Sequence, residues 1–200
     1  MITKWTTWLL PQLEPGSSDH TEFVICDHTI DITYLELEVD RFAYLFLLMD
    51  LYARFIVGWH VANSLVTEGA LASLQRALQH RTSTSQSLIH HSDHGVQYTS
   101  HAYLNTLLNH QIRPSMGAVG NCYDNIFAER LIGILKGEYH LDARFVDSAQ
   151  IDLAVHQAVH LYNTDRPHLA LNLASPSEVY FGRRQDIPSV VIPPAEVSLY

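Results

Sequence analysis

Two hundred residues, 47% of them apolar and only 16% charged, describe a globular chain with room for one substantial core, and they exclude wholesale disorder. The formal net charge of −9, from 21 acidic against 12 basic residues, argues against a general nucleic-acid-binding surface but is compatible with a site that gathers carboxylates around cations. The longest apolar runs, such as FAYLFLLM at 42–49, are too short to span a bilayer, and Cys26 and Cys122 have no metal-ligand spacing, so a reducing cytoplasm is the default.

Residues 1–21 read as a leader or linker. They hold one lysine and a brief apolar patch stopped by Pro11, with no small-residue cleavage site, which makes a poor signal peptide; the breaker cluster PGSSD follows. Residues 22–182 read as a single core. IDITYLEL (30–37), FAYLFLLM (42–49) and FIVGWHV (55–61) predict three strands joined by short turns, an antiparallel meander. TEGALASLQRALQH has apolar residues at 71, 74, 77 and 78, which is helical spacing, with Thr67 as its N-cap. SLIHH follows as a short strand. HAYLNTLLNH predicts a helix with Leu104, Leu107 and Leu108 on one face, IRPSM a last short strand, and GAVG a flexible loop. A third helix is expected from about Asp124 to Tyr139. A fourth, SAQIDLAVHQAVHLYN, carries Ile151, Val155, Ala158, Val159 and Tyr162 on its apolar stripe. The proline-interrupted segment 183–200 reads as an extended tail over the surface. Strands, then alternating helix and strand, then helices predict an α/β domain with a mixed sheet. In such sheets ligands gather beyond the carboxyl ends of strands.

Three acids stand out. Asp31 lies between Ile30 and Ile32 on a predicted central strand, where a carboxylate is either neutralised by a partner or solvated on an open face. Asp93 follows the strand SLIHH, as a turn or capping residue or as a group planted at a strand end. Glu129 sits in YDNIFAERLIGILKGEYH, a segment apolar almost all round and so expected to be largely buried. Asn125 lies one turn before Glu129 and Lys136 seven residues after it, forming a narrow polar seam. If these acids converge, their charges repel one another unless divalent cations intervene, and hard oxygen ligands suit Mg²⁺ or Mn²⁺. Two such ions about 3.5–4 Å apart stabilise the attacking and leaving oxygens of a phosphoryl transfer. His90, His91 and His94 cluster around Asp93, and a histidine-ligated zinc hydrolase is a competing reading, although no zincin-type helix motif accompanies them.

At these residues the chain resembles the DDE transposases of bacterial insertion sequences, of the OrfB type, and more distantly the retroviral integrase core. DITY (31–34), YLFLLMDLYARFIVGW (44–59), HSDHGVQYTS (91–100), SMGAVGNCYDNIFAERLIGILKGE (115–138) and YNTDRPHLALNLASPSEVY (162–180) match family segments in order. The 35 residues between Asp93 and Glu129 match the D,D-35-E signature. The resemblance implies an RNase H-like fold with a mixed five-stranded sheet flanked by helices, and metal-dependent DNA strand cleavage and transfer. It makes Asp31, Asp93 and Glu129 the catalytic metal ligands for Mg²⁺ or Mn²⁺, with two ions, and Lys136 a phosphate contact. Asn125 would orient Glu129 or touch DNA. The implied partners are DNA (element ends and target), an OrfA-type helix-turn-helix protein and further copies of the chain, in a bacterial cytoplasm. Phosphate-neutralising contacts on such a partner would reconcile the acidic charge. His28 stands near the point where the family usually has tryptophan, which makes Asp27 a competitor for first ligand; Ala53 and Arg130 replace frequent serines. The alternative is an inactive or domesticated fragment that acts only as an assembly module.

Overall fold

The computed structural model describes residues 28–38, 41–81, 88–116 and 126–183. In chain order these form β1 (His28–Leu37), β2 (Arg41–Asp50), β3 (Ile56–Ala62), α1 (Thr67–His80), β4 (Leu88–Ser92), α2 (His101–Asn109) and β5 (Ile112–Met116). Then come α3 (Ile126–Tyr139), β6 (Arg144–Phe145), α4 (Ser148–Thr164), a 3-10 turn at Leu169–Leu171 and α5 (Pro176–Tyr180). The sheet order is β3-β2-β1-β4-β5, with β6 added on β1. β1, β2 and β3 are the expected antiparallel meander, whereas β4 joins β1, and β5 joins β4, in parallel. The mixed five-stranded sheet is therefore present, with one short strand more than the sequence announced.

The period-two alternation of β1 explains the layering. Ile30 faces the same way as Phe46 and Leu48 of β2, and this side packs with Ala70 and Leu74 of α1 and Tyr103 and Leu107 of α2. Leu35, Leu37, Leu45 and Leu47 face the other way, against Leu131 and Leu135 of α3 and Ile151 and Val155 of α4. Covered on both faces, β2 reads as a continuous apolar run rather than an alternating one. Asn163 pins α4 to β3: its side-chain oxygen accepts from the Ile56 amide at 2.9 Å, and its nitrogen donates to the Ile56 carbonyl at 3.1 Å.

Gly58 lets α1 lie directly on β3. A Cβ there would fall 2.2 Å from the Ser73 carbonyl oxygen and 3.1 Å from the Ala77 Cβ. Backbone cannot step aside as a side chain can, so Gly58→Ala is expected to cost about 2 kcal/mol. A lowered urea midpoint checks this, and an unchanged midpoint would mean that α1 is not held against the strand.

Several expectations need correction. Val66, not Thr67, is the N-cap residue of α1; it is already extended, and Thr67 falls inside the first turn. On α2 the buried residues are Tyr103 and Leu107, while Leu108 is exposed, because the inner stripe runs through the i, i+4 pair starting at the tyrosine. α3 is not largely buried: Ala128, Leu131 and Leu135 form one covered stripe against the sheet and α4, and Ile126 is exposed. The expected leader at 1–21, the GAVG loop and the tail from 184 onward lie outside the described residues. No helix among the described residues is long and apolar enough to cross a membrane.

Candidate active site

Register brings the first two acids together. His28 of β1 pairs with His90 of β4, and Thr29 with His91. Continuing that parallel register by two residues sets Asp93 beside Asp31, just where β4 ends at Ser92. Beyond this point, among the described residues, no strand pairs with β1 on that side until β6 meets Glu36 and Leu37. At this open edge lies a cleft of about 230 Å³ lined by Asp31, Ile32, Tyr34, Leu65, Asp93, Gln97 and Tyr98.

Asp93 also has the local role that its sequence context suggested. Its Oδ1 accepts the Gly95 amide at 2.9 Å, which closes a short turn. A Cβ added at Gly95 would sit 2.9 Å from Asp93 Oδ1 and 3.0 Å from Gln97 Oε1, so it would push on both cleft side chains. Gln97 is buried and donates from Nε2 to the Leu65 carbonyl at 3.1 Å, tying the β3–α1 connection to the turn that carries Asp93. Tyr98 is fully buried behind the cleft, edge-on to Tyr103, and its hydroxyl has no hydrogen-bond partner among the described residues. Gln97, Tyr98 and Tyr34 escaped the sequence reading, although all three stand in the segments HSDHGVQYTS and DITY that carry the acids.

Asp31 is half-buried, and its Oδ1 accepts the amide of Ile32 at 2.7 Å. Burial pushes its carboxyl up from 3.8 to about 6; the amide bond opposes the rise, and the charges of Asp93 and Glu129 add to it. Both other acids are thus within electrostatic reach of Asp31. Glu129 occupies the first turn of α3, exposed, on a helix that packs against β1. Lys136 lies in the last turn of the same helix, half-buried. Asn125 and Asp27 lie outside the described residues.

Among the described residues no three carboxylate, imidazole or thiol side chains are drawn close enough to surround one ion. Burial is the main cause of the raised carboxyl of Asp31, and repulsion from Asp93 and Glu129 adds to it. The donor set consists of hard oxygens and suits Mg²⁺ or Mn²⁺ rather than a softer metal. The histidines do not form a competing set. His90 and His91 are buried, and strand alternation turns them to opposite faces. The Nε2 of His90 lies 2.9 Å from the Tyr103 hydroxyl, and the Nδ1 of His91 lies 3.2 Å from Ser115 Oγ; His94 is exposed.

Comparison with known proteins adds to this geometry. Residues 28–122 match a family model described as integrase core domain, and residues 110–176 match a second model of the same description. A transposase for insertion sequence element IS986/IS6110 of Mycobacterium tuberculosis is 33% identical over 168 residues, covering 78% of this chain and 58% of the relative. The transposase for IS629 of Shigella sonnei is 34% identical over 148 residues, covering 74% of this chain and 49% of the relative. Transposase InsF for IS3A of Escherichia coli is 33% identical over 149 residues, covering 74% and 51%. The chain spans about half the length of these curated relatives.

Among solved structures, the simian T-cell lymphotropic virus intasome bound to the PP2A regulatory subunit B56 gamma aligns at a TM-score of 0.66 and 19% identity. That alignment covers 82% of this chain and 57% of the other. The catalytic core of BIV integrase aligns at 0.57 and 18% identity, covering 78% and 95%. The HTLV-2 integrase catalytic core in complex with magnesium aligns at 0.59 and 14% identity, covering 80% and 99%. At these identities the likeness fixes the fold, the RNase H-like arrangement of integrase cores.

Proposed function

The chain belongs to the integrase core domain family, and from that premise we propose that it is the catalytic core of an insertion-sequence transposase that cuts and joins DNA strands. The observation that carries this reading is the cleft at the open edge of β1, which Asp31 and Asp93 line together, with the charge of Glu129 felt at Asp31.

In this reading Asp31, Asp93 and Glu129 hold Mg²⁺ or Mn²⁺. Ions held there would supply Lewis-acid stabilisation to the phosphodiester under attack. The residues of the chain fix the geometry. β1 holds Asp31 rigidly, the Gly95 amide orients Asp93, and α3 presents Glu129 from the opposite helical layer. Gln97 keeps the cleft wall in place through Leu65. Lys136, two turns beyond Glu129, contacts a phosphate, and Asn125 orients Glu129 or touches the DNA. Phosphoryl transfer needs little covalent chemistry from the protein beyond this positioning. The magnesium of the HTLV-2 core supports the choice of ion, and its dimeric and trimeric forms support assembly of this chain with further copies. The remaining partners are the element's ends, a target DNA and an OrfA-type helix-turn-helix protein, in a bacterial cytoplasm.

The test is incubation of the protein with oligonucleotides bearing the terminal repeats of its own element, with Mg²⁺, Mn²⁺ or EDTA. Nicked and joined products that require the divalent ion are expected. A folded protein that yields none with any of these would favour the assembly-module alternative.

A further inference from the structure

Next to the acids the surface is aromatic rather than basic. Tyr34, three residues beyond Asp31 on β1, lines the same cleft and is 52% exposed. Tyr44 stands directly opposite it on β2, and Phe42, two residues further along, is 48% exposed. The Tyr34 ring meets those of Tyr44 and Phe42 edge to face, with centroids 5.3 and 6.1 Å apart. Strand alternation places the three rings in line with Ile30, Ile32, Phe46 and Leu48. That row is covered by α1 and α2 at its other end, and among the described residues Tyr34 lies outside the cluster that those helices cover. Phe42 and Tyr44 continue into a second groove of about 630 Å³ that includes Arg41 and Asn63. Glu36, which faces Phe42 across the strands, is ion-paired with Arg144, so its charge is met locally.

We propose that Tyr34, Tyr44 and Phe42 form a stacking platform for unpaired bases of the DNA strand whose phosphodiester lies at Asp31 and Asp93. The inference rests on the transferase reading and adds a substrate feature to it. Tyr34 lies only about 10 Å along the strand from Asp31. Strand alternation turns Asp31 and Tyr34 to opposite faces of β1, but both line the cleft at its open edge, so nucleotides flanking a phosphate held by the acids pass round that edge to the rings. Every base offers a π-face, so an aromatic row binds them irrespective of sequence and without many cationic contacts, which suits a chain of net charge −9. Paired bases are stacked inside a duplex and cannot use such a surface. The platform thus selects DNA ends that are already opened or single-stranded beside the cleavage point. A protein partner on the same rings would instead bury them in a larger apolar interface.

The test uses the full chain and a duplex with a single-stranded overhang carrying 2-aminopurine beside the scissile phosphate. Tyr34→Ala and Tyr44→Ala are compared with Tyr34→Phe and Tyr44→Phe, since Tyr34 is exposed, Tyr44 is half-buried against the core, and the phenylalanine variants keep both ring and packing. Wild type and the phenylalanine variants are expected to quench the fluorophore on binding. Each alanine variant should lose most of the quench and bind the overhang about tenfold more weakly, with blunt duplex binding unchanged. Unaltered quench and affinity in the alanine variants would overturn the platform. So would wild type that ignores the overhang, or alanine variants whose only change is dissociation of a wild-type dimer in sedimentation. Strand joining, followed in parallel, separates the two ideas: wild type that joins DNA beside fully competent alanine variants removes the platform and leaves the transferase reading intact.

Discussion

Asp93→Asn is expected to reduce strand joining by on the order of 10³-fold or more while leaving the fold unchanged. Asparagine keeps an Oδ1 that can accept the Gly95 amide, so the turn survives, and the side chain is exposed, so no core contact is lost. What disappears is one anionic oxygen ligand. Metal stabilisation of the transferring phosphoryl group is worth several kcal/mol, and each 1.36 kcal/mol is about tenfold in rate. Glu129→Gln should behave alike for the same reason, since Glu129 is exposed on α3. Lys136→Ala, which removes only a proposed phosphate contact, should cost far less. Rates with Asp93→Asn above about a tenth of wild type would separate this carboxylate from the chemistry.

Acidification is expected to unfold the domain well before its carboxylates alone would require. Burial, reinforced by the neighbouring His28 and His91, pushes the His90 imidazole from 6.5 down to about 3. Its Nδ1 has no hydrogen-bond partner among the described residues, so a proton added there would be buried without compensation. Below pH 6.5 the unfolded chain takes up a proton that the folded chain refuses. Stability present above 6.5 is therefore lost progressively as pH falls towards 3, by at most about 5 kcal/mol. His28 acts with the same sign: burial, with the charge of Arg81, pushes it down to about 4. It contributes less than His90, because its ring keeps some exposure and Asp50 lies 3.9 Å away.

Asp31 works in the opposite direction. Its raised carboxyl is protonated more readily in the fold, so its stabilising effect is complete below 3.8 and is lost as pH rises through about 6. That term is worth about 3 kcal/mol at most, so the histidines prevail. Urea midpoints should therefore fall steeply between pH 7.5 and 5 and flatten in His90→Gln. Asp31→Asn should be more stable than wild type at pH 7.5, at the expense of activity, and should fall more steeply on acidification. A wild-type midpoint that stays level across this range would contradict the account.

Much of this architecture was legible because its signals are local. The helical spacing of 67–80 and the stripe from Ile151 to Tyr162 came through, since apolar period alone decides them. β1 to β5 were bounded by turn residues on either side. What escaped depended on tertiary contact. β6 is two residues long and exists only because β1 offers a free edge there. The cover of α3 is narrower than its composition suggests, because an apolar helix does not reveal how much of it a partner will reach. At the site, Asp31, Asp93 and Glu129 were singled out in the sequence by residue type and by the family resemblance, and their role as ligands is the proposal made above. The open edge that makes a cleft between the first two was not legible, because it follows from the premature end of β4. The rings of Tyr34, Tyr44 and Phe42 read in sequence as ordinary strand residues, and among the described residues the exposure of Tyr34 and Phe42 follows from where the helical layer stops.

The central claim is that the carboxylates, not the histidines beside them, hold the divalent ion. Mn²⁺ titration by calorimetry, comparing wild type with Asp93→Asn and His94→Ala, tests it on two adjacent exposed side chains. Binding in wild type and His94→Ala, with loss in Asp93→Asn, is the predicted result. Binding that survives in Asp93→Asn and disappears in His94→Ala would contradict the account.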